Sequence, residues 1–488
     1  MPTLPQSLYT TLDLDLISRD ETLCGYWTDA CKDIQSKLWL PHLTVCPEAD
    51  SHSSSRQSNF TEEKSCFWKT TFLPKVSTSL HSLLFSLPSA THKAESETQL
   101  VTRKIRIYPN VKTEAFSLLS LHRRAYNLAI EHFKEVDNAR EVSEDEYKLA
   151  IDAQLGVTEL RRAIKAQVKE EWEGRFFTAE VAGEAVRAAF KTKNAVLSKR
   201  KKGLSCAYSF KSIKESSQYF VLQRMSKGYM SKWHLTEQIA EESFGKTTNI
   251  CFENGRWFAC TLKSINIKKG AENQGLSLCS IDPGVRTFAT VFAQDKVSKV
   301  GDDFYKNKVF PLLLKLDKLY GLRQEFLNKK PDRTTQFFRD TMRYYTKKLN
   351  KLRNKVKDRI DDLHRRTAFD LVNDYDIILL PTFETSEMSK KVGRKIHSKA
   401  VRAMLGLGHY RFRQTMEWMC KKYGKTLVLC NEAYTSKTQS WDGTIVPDLG
   451  GAKIIGTTIK VDRDINGARG IMLRALTAAS AVNRACCV

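Results

Sequence analysis

The clearest pattern of apolar and polar positions in this chain lies at residues 276–292, in the run LSLCSIDPGVRTFATVF. Residues 276–281 predict a short buried strand, and residues 285–292, which are rich in β-branched and aromatic side chains, predict its hairpin partner. Asp282 lies at the end of the first strand, just before Pro283-Gly284. A carboxylate there must be hydrogen-bonded, paired or bound to a cation. On this segment alone, a turn aspartate before Pro-Gly is the simpler interpretation.

The rest of the second half alternates helical and strand patterns. In chain order we predict helices at 310–327 and 334–372, a buried strand at 376–381, a helix from Met404 to Tyr423, a strand from Thr426 to Cys430 and a last helix that begins in VDRDINGARG. Asp464 stands where the N-cap of this last helix would be. A cap is one interpretation of Asp464, and the small Gly467 and Ala468 would let the first turn pack closely.

The first half has a different organisation. Residues 1–98 are loosely patterned, with aromatic islands around Trp39 and Trp68 that either dock on the main body or belong to a mobile arm. A basic strand, TRKIRIYP, begins at Thr102, and helical patterns run from about residue 113 to residue 197. Strand patterns then return, with a hairpin turn at Asn254-Gly255. Two β segments separated by helices predict a small barrel with a helical insertion.

Composition adds a candidate partner. Among 488 residues the chain has 79 Lys and Arg against 55 Asp and Glu, for a net charge of +24, which favours a polyanion such as nucleic acid. A basic membrane-surface protein is the rival, but no apolar run is long enough to span a bilayer and we expect no membrane partner. We also expect no signal peptide. The twelve cysteines include no C-x-x-C pair, so we expect reduced thiols in an intracellular protein.

The order of elements suggests how distant carboxylates could meet. The predicted order is a strand hairpin, helices, a strand, a helix, a strand and a helix. This is the order of an RNase H-like fold, which brings acidic residues together at one edge of its sheet. Two Mg²⁺ ions about 3.5–4 Å apart require hard oxygen ligands, and they activate water and stabilise the leaving oxygen in phosphodiester cleavage.

Three motifs carry a specific resemblance. IDPGVRTF, NEAYTSKT and DRDINGAR resemble the three RuvC motifs of Fanzor, the eukaryotic relatives of the TnpB nucleases, and KLWLP, KIRIYP and YNLA are similar to the same family. The resemblance implies an α+β multidomain fold, with an RNase H-like RuvC nuclease domain and a wedge β-barrel that carries a helical recognition insertion. It also implies an RNA-guided DNA endonuclease that holds a guide (omega) RNA and reads a short duplex motif beside its target.

The resemblance also implies domain boundaries. They are an N-terminal extension, partly disordered, at 1–98; the wedge barrel at 99–112 and 201–275; the recognition helices at 113–200; the RuvC domain at 276–438 and 461–488; and a degenerate zinc-knuckle or target-nucleic-acid-binding loop at 439–460.

The second acid of the site is open between two residues. In the commoner TnpB pattern it directly follows an apolar strand, but here Pro381 follows the strand and Glu384 comes three residues later. Glu432 follows the strand that ends at Cys430, which resembles some Fanzor-like members. We therefore expect Asp282, Glu432 and Asp464 as Mg²⁺ ligands, with Glu384 as the fallback and otherwise a surface acid.

The zinc knuckle of the relatives is absent from this sequence. Gln439 and Asp442 take the places of its first cysteine pair, and no cysteine precedes the final motif, so we expect no four-thiolate zinc. Two possibilities stay open for this loop, which are packing around Trp441 and partial disorder.

Candidate nucleic-acid contacts are basic side chains on the predicted elements. An excess of one sign along the helix at 334–372 favours a surface that follows a phosphate backbone, although a charged helix face is usually only solvated. The candidates are Lys104, Arg106, Arg123, Arg124, Lys199, Arg200, Arg286, Lys348, Lys351, Lys355 and Lys437. Arg286 and Lys437 could equally form ordinary salt bridges. The cluster at Lys199 could be a solvated helix end, a nuclear-import signal or a phosphate contact.

The expected partners are therefore a guide RNA and target double-stranded DNA, bound by a monomer with one RNA in the nucleus. Two rival functions remain. One is an RNA-guided or simple DNA-binding protein that no longer cuts, and the other is an RNase H-like transposase that joins strands.

Overall fold

The structure is a computed structural model. It describes residues 68–72, 98–142, 156–266, 277–329, 331–383, 385–390, 397–430, 435, 437–440, 443–445, 453–455 and 460–486.

Thirteen strands occur in the described part of the chain. They are β1 Trp68–Phe72, β2 Thr98–Pro109, β3 Ser217–Leu222, β4 Trp233–Leu235, β5 Thr248–Glu253, β6 Arg256–Asn266, β7 Leu278–Pro283, β8 Ala289–Ala293, β9 Lys296–Val300, β10 Ile377–Pro381, β11 Thr426–Cys430, β12 Lys453–Ile455 and β13 Lys460–Asp462.

Ten α-helices accompany these strands in the same described residues. They are α1 Lys112–Val142, α2 Val157–Glu171, α3 Ala179–Lys201, α4 Lys227–Met230, α5 Phe310–Asn328, α6 Gln336–Asp374, α7 Thr385–Ser389, α8 Ser398–Leu407, α9 His409–Tyr423 and α10 Arg463–Cys486.

The chain divides into two compact units. The five-stranded unit comprises Thr98–Ile265 and Thr346–Lys351, and the six-stranded unit comprises Met1–Glu97, Asn266–Tyr345 and Leu352–Val488.

The six-stranded unit is built on a mixed sheet of order β1-β9-β8-β7-β10-β11. The consecutive strands β7, β8 and β9 pair antiparallel, whereas β10 runs parallel to β7 and β11 runs parallel to β10. All five residues of β10, IILLP, are buried, as expected for a strand inside a parallel array with both faces covered. The element order predicted from the sequence, from hairpin to last helix, is confirmed.

Helices cover both faces of this sheet. Ile281, on β7, packs in a core with Leu363 of α6 and Phe412 of α9. Leu278, on the opposite face of β7, packs in a second core with Ile471 of α10. Because side chains alternate along a strand, the even-numbered residues of β7 face α10.

The five-stranded unit contains a sheet of order β3-β5-β6-β2-β4, and α1, α2 and α3 come between β2 and β3 in the chain. The predicted hairpin turn is confirmed, because Asn254 (φ 46°) and Gly255 (φ 81°) join β5 to β6 with the two positive φ angles of a type I′ turn. Ile105, Ile250 and Phe220 of the sheet share one core with helical residues of this unit.

The predicted small wedge barrel is not confirmed for the strands that the structure describes. They form an open sheet with β3 and β4 at its edges. β4 has only three residues, Trp233–Leu235, and so offers few hydrogen bonds for closure. Helices bury the apolar face of the sheet, so the face is covered without closure.

A single helix from Met404 to Tyr423 was also a wrong prediction. Gly408, with φ 65°, ends α8 and begins α9. A left-handed residue stops the helical hydrogen bonding, and glycine takes this conformation without a steric penalty.

Candidate active site

The site is organised by close packing of β7 against α10. The Ser280 hydroxyl donates a hydrogen bond of 2.7 Å to the carbonyl oxygen of Ala468, 188 residues further along the chain. Ala468 is fully buried and its small side chain lets the helix approach the strand. Asp282 lies two residues beyond Ser280, on the same face of β7, and is half-buried. The first predicted acid is therefore at the carboxyl end of a strand in the middle of the sheet, on the side of α10.

Asp464 lies in the first turn of α10, but it is not the cap of this helix. Asp462 has that role, because its Oδ1 accepts hydrogen bonds from the backbone nitrogens of Asp464 (3.0 Å) and Ile465 (3.4 Å). The N-cap prediction for Asp464 was thus two residues out of place. Since Asp462 satisfies the helix terminus, the carboxylate of Asp464 is available for other partners.

Arg286 connects the two ends of the site. It follows Asp282 by four residues, and its Nη2 lies 3.0 Å from Asp464 Oδ2 and 4.0 Å from Asp462 Oδ2. Burial lowers the pKa of the Arg286 guanidinium, but the carboxylates of Asp464 and Asp462 outweigh burial and the pKa is raised. Of the two interpretations of Arg286, the ion pair is therefore present. A phosphate contact stays a prediction.

Two more cationic side chains lie beside Asp462 and Asp464. Lys299 Nζ on β9 lies 2.7 Å from Asp462 Oδ2, and Arg463 Nη2 lies 3.6 Å from Asp464 Oδ1. Both aspartates expose only about a fifth of their side chains (21% and 19%). These ion pairs hold the two half-buried carboxylates in fixed orientations.

Sheet register brings the ends of three strands to one level. Leu379 on β10 pairs with Ser280 on β7 and with Val428 on β11. Two residues further along these strands are Asp282, Pro381 and Cys430, and the last two are register partners. Any side chain that follows β10 or β11 directly therefore begins at the level of Asp282.

The choice of the second acid is not decided by the structure. Glu432 and Glu384, which follow β11 and β10, both lie outside the described residues. Within the described ranges, no group of three or more His, Cys, Asp or Glu side chains could hold a metal ion. Asp282 and Asp464 are the two candidate ligands that the structure places.

The turn after Asp282 has a specific steric requirement. The backbone nitrogen of Gly284 donates to the carbonyl oxygen of Phe288 at 3.1 Å, and a Cβ on Gly284 would lie 2.6 Å from the carbonyl oxygen of Thr287. The ring of Phe288 stacks between His364 and His409, with centroids 5.3 Å and 5.2 Å away. Burial lowers the pKa of His364 to about 4 and that of His409 to about 3, so both rings are neutral at pH 7. The sequence analysis did not predict this aromatic stack, which packs beside the turn at Gly284.

Asn466 is a second residue that sequence reasoning underestimated. Its Oδ1 accepts from the backbone nitrogen of Ser440 and its Nδ2 donates to the carbonyl oxygen of Thr438, both at 2.8 Å. Arg469 adds a hydrogen bond of 3.3 Å from Nη1 to the Ser440 hydroxyl. The segment where relatives have cysteines is thus fastened to α10 by a buried amide. In the sequence, the signal for this role was the amide of Asn466 among the small residues of DINGAR. Two other residues of the segment, Trp441 and Asp442, lie outside the described residues.

Besides Arg286, several predicted nucleic-acid contacts already have protein partners. Arg124 makes two hydrogen bonds of 2.8 Å with the carboxylate of Glu171, and Arg200 makes two with that of Asp137, at 3.0 and 2.7 Å. Arg123 donates to Gln218 Oε1 at 2.9 Å. These pairs link elements of the five-stranded unit, and a role in binding nucleic acid stays a prediction.

The other predicted contacts are more accessible. Lys199, Lys348, Lys351, Lys355 and Lys437 are all exposed. On β2, the Lys104 ammonium lies 4.5 Å from the Phe258 ring centroid, and the Arg106 guanidinium lies 5.0 Å from that of Tyr108. Basic and aromatic groups therefore share the outer face of the five-stranded sheet.

One comparison with known proteins matches a defined region of the chain. Residues 409–471 match the family described as Cas12f1-like, TNB domain. This range begins at α9 and ends in α10, and includes β11, Asn466 and Asp464.

Similar curated proteins come from a giant virus. The chain is 29% identical over 215 residues to a protein of Acanthamoeba polyphaga mimivirus named "Putative transposase", and 29% identical over 208 residues to a TnpB-like protein of that virus. These alignments cover 43% and 42% of this chain, and the chain covers 42% and 38% of the two relatives.

A similar solved structure is the Cas12f1 chain of a complex with sgRNA and target DNA. It has 12% identity and a TM-score of 0.43, over 74% of this chain and 82% of that one. Among the helices described here, none is both long and apolar enough to cross a membrane.

Proposed function

We propose that this chain is a Fanzor-like, RNA-guided DNA endonuclease that cuts target DNA by Mg²⁺-dependent phosphodiester hydrolysis. It would use a guide (omega) RNA to find DNA beside a short adjacent motif. The observation that carries the proposal is that the segments of Asp282 and Asp464 pack against each other. The Ser280–Ala468 hydrogen bond and the Arg286–Asp464 ion pair bring their two segments together at one sheet edge.

Two further findings support the proposal. The mixed sheet, with three antiparallel strands followed by two parallel ones, has the element order expected for an RNase H-like nuclease domain. The match to a Cas12f1-like domain at 409–471 includes two of the three motifs on which the resemblance rests, and TnpB-like proteins are among the similar curated proteins.

Asp282, Asp464 and a glutamate would hold the metal ions. Their carboxylate oxygens are the hard ligands that Mg²⁺ prefers, and Glu432 is our choice for the third, with Glu384 as the fallback. Bound Mg²⁺ supplies activation of water and stabilisation of the leaving oxygen. Asp462 would hold the first turn of α10, which carries Asp464, and Asp282 immediately precedes the turn at Pro283-Gly284.

The basic surface would bind the nucleic acids. A net charge of +24 and exposed lysines at positions 199, 348, 351, 355 and 437 supply sequence-independent contacts to phosphates, and sequence choice would come from RNA–DNA pairing. We propose one guide RNA per monomer, action in the nucleus and no membrane partner.

Cleavage of a matched target by the purified RNA complex is the test. Asp282→Ala and Asp464→Ala should each reduce cleavage to background while DNA binding persists, because they remove metal ligands and leave the basic surface intact. Asp374→Ala, a half-exposed carboxylate at the end of α6 in the same unit, is the control and should cut normally. Full cleavage by either active-site variant would reject the proposed site.

The second acid requires a paired comparison. Glu432→Gln should abolish cleavage and Glu384→Gln should preserve it. The reverse result would make Glu384 the ligand.

The rival functions give different products. A binder that no longer cuts would hold target DNA with its RNA but leave it intact, and the missing knuckle cysteines favour that outcome. A transposase would yield strand-joined DNA, and the mimivirus relative named "Putative transposase" is the reason to look for it. Sequencing RNA that co-purifies with the chain tests guidance separately from cleavage.

A further inference from the structure

Two cysteines approach each other across the β5–β6 hairpin, away from the carboxylate site. Cys251 pairs in register with Phe258, and Cys260 pairs with Asn249, so the two cysteines are diagonal neighbours on one face of the sheet. Their sulfur atoms are 3.8 Å apart. Both side chains are half-exposed, and both are free thiols.

The surroundings favour a thiolate on one member of this pair. The Cys251 thiol hydrogen-bonds to Cys260, and that contact, with help from the Lys104 ammonium, lowers the pKa of Cys260 despite its partial burial. The same contact raises the pKa of Cys251. Glu253 opposes Lys104 at both sulfurs, and Lys104 and Glu253 form an ion pair with each other. Cys260 is thus the more nucleophilic sulfur.

The pair differs from the other free thiols that the structure describes. Cys279, Cys420 and Cys430 are buried, where oxidants have little access, and burial raises the pKa of each. Cys206 is half-exposed. No sulfur partner within hydrogen-bonding distance is recorded for these four among the described residues, so Cys251 and Cys260 alone combine access with proximity there.

We propose that Cys251 and Cys260 form a peroxide-reactive dithiol that closes to a disulfide across the hairpin. Closure shortens the sulfur separation from 3.8 Å to about 2.05 Å. Rotation of the two cysteine side chains about χ1 would supply the movement. The proposal is independent of nuclease activity.

The chemistry balances with hydrogen peroxide as the two-electron oxidant. The Cys260 thiolate attacks one peroxide oxygen, the O–O bond breaks, hydroxide leaves and Cys260 becomes a sulfenic acid. The Cys251 sulfur then attacks the Cys260 sulfur, the S–O bond breaks and a second hydroxide leaves as the S–S bond forms. The two thiol protons convert the hydroxides to two waters.

Peptide mapping of the full chain tests the proposal directly. Trypsin cuts after Lys246, Arg256 and Lys263, so the two cysteines fall in separate peptides, 247–256 and 257–263. After brief treatment with hydrogen peroxide and blocking of free thiols, mass spectrometry should find these two peptides linked, and dithiothreitol should separate them. If both peptides stay unlinked in the folded chain, or are linked mainly to other cysteines, the proposal is wrong.

Single substitutions assign the two roles. In Cys251→Ser, dimedone should trap Cys260 as a sulfenic acid, because the resolving thiol is gone. In Cys260→Ser, Cys251 should react on the order of tenfold more slowly, because it loses the partner that generates a thiolate. Cys206→Ser is the matched control and should leave the 247–256/257–263 link unchanged. Equal labelling of Cys251 and Cys260 in their respective variants would overturn the assignment of Cys260 as the attacking sulfur.

Discussion

At the scale of single residues, the central finding is that Asp464 already has a cationic partner. The guanidinium of Arg286 contacts Asp464 Oδ2, one of the oxygens that a divalent cation would need as a ligand. A cation that binds Asp464 must therefore displace this contact or share the carboxylate with it.

Arg286→Gln should strengthen binding of a divalent cation. An exposed or half-exposed ion pair contributes about 0–1 kcal/mol, so the gain should be at most about fivefold in Kd for Mn²⁺, measured by calorimetry without nucleic acid. Arg402→Gln is the matched control, because Arg402 is also 45% exposed and is paired with Asp317 at 2.8 Å. Weaker Mn²⁺ binding in Arg286→Gln would show that the arginine supports the metal site rather than competing for it.

Asn466 supports the loop where the relatives have zinc ligands. In Asn466→Ala, the Ser440 nitrogen and the Thr438 carbonyl lose buried partners, at a cost of about 1–3 kcal/mol each. We expect faster amide hydrogen exchange at residues 437–440 and 443–445, with α10 still folded. Asn328→Ala, at the exposed end of α5, should leave this exchange unchanged. Slow exchange in the Asn466 variant would mean that packing alone shapes the loop.

At the scale of elements, the starts of the three parallel strands are joined by one acid. Asp376 accepts from the backbone nitrogen of Ser277 at 3.0 Å and from Lys425 Nζ at 2.7 Å, and so connects β7, β10 and β11. Burial raises the pKa of the Asp376 carboxyl, but these hydrogen bonds outweigh burial and the pKa is lowered.

The Asp376 contact should make stability depend on pH. Because the folded-state pKa is below the unfolded value, the ionised carboxylate contributes stability above the unfolded pKa, and this is lost as pH falls through the folded pKa. Asp376→Asn should lower the free energy of unfolding by about 1–2 kcal/mol at pH 7. The deficit should begin to shrink below the unfolded pKa of about 4 and should be lost as pH falls through the lower folded pKa.

Urea unfolding across this pH range measures the effect. Asp340→Asn, an exposed partner of Arg343 on α6, is the control and should show no such trend. A deficit that stays constant down to acid pH would assign the effect to packing.

Prediction from sequence succeeded where local pattern determines structure. The strand Thr426–Cys430 has the bounds that its apolar run indicated, and α5 and α6 are separated close to the predicted break. Prediction failed where a single backbone angle or a tertiary contact determines the local structure. The break at Gly408 depends on φ, and Asp462 took the cap because it could also pair with Lys299 from β9.

At the scale of the whole molecule, two features were beyond the reach of pattern reasoning. Whether five strands close into a barrel depends on what covers the sheet, and the helices between β2 and β3 provide that cover. Which glutamate completes the carboxylate site depends on loop conformation after β10 and β11. The packing of the β7 segment against the start of α10 was predictable, because element order fixes which strand and helix ends meet.

The excess positive charge leads to a prediction for nucleic-acid binding. Lys351 and Lys355 are exposed and one turn apart on α6. If both contact phosphates, replacing them with glutamine should reduce the slope of log K against log salt by about 1.4–1.8, since each phosphate contact contributes about 0.7–0.9. Arg366→Gln on the same helix is the control, because Arg366 is already paired with Asp362. An unchanged slope in the double variant would indicate a merely solvated face.

The strand β1 has a consequence for how the chain can be shortened. Of the two aromatic islands near the start of the chain, the one around Trp68 docks, because Trp68–Phe72 pairs antiparallel with β9 at the rim of the six-stranded sheet. A version trimmed after Phe72 would uncover unpaired amides and carbonyls beside Val297 and Val300. Such a rim recruits strands from neighbouring molecules, so trimmed protein should self-associate and scatter light at concentrations where the full chain stays clear.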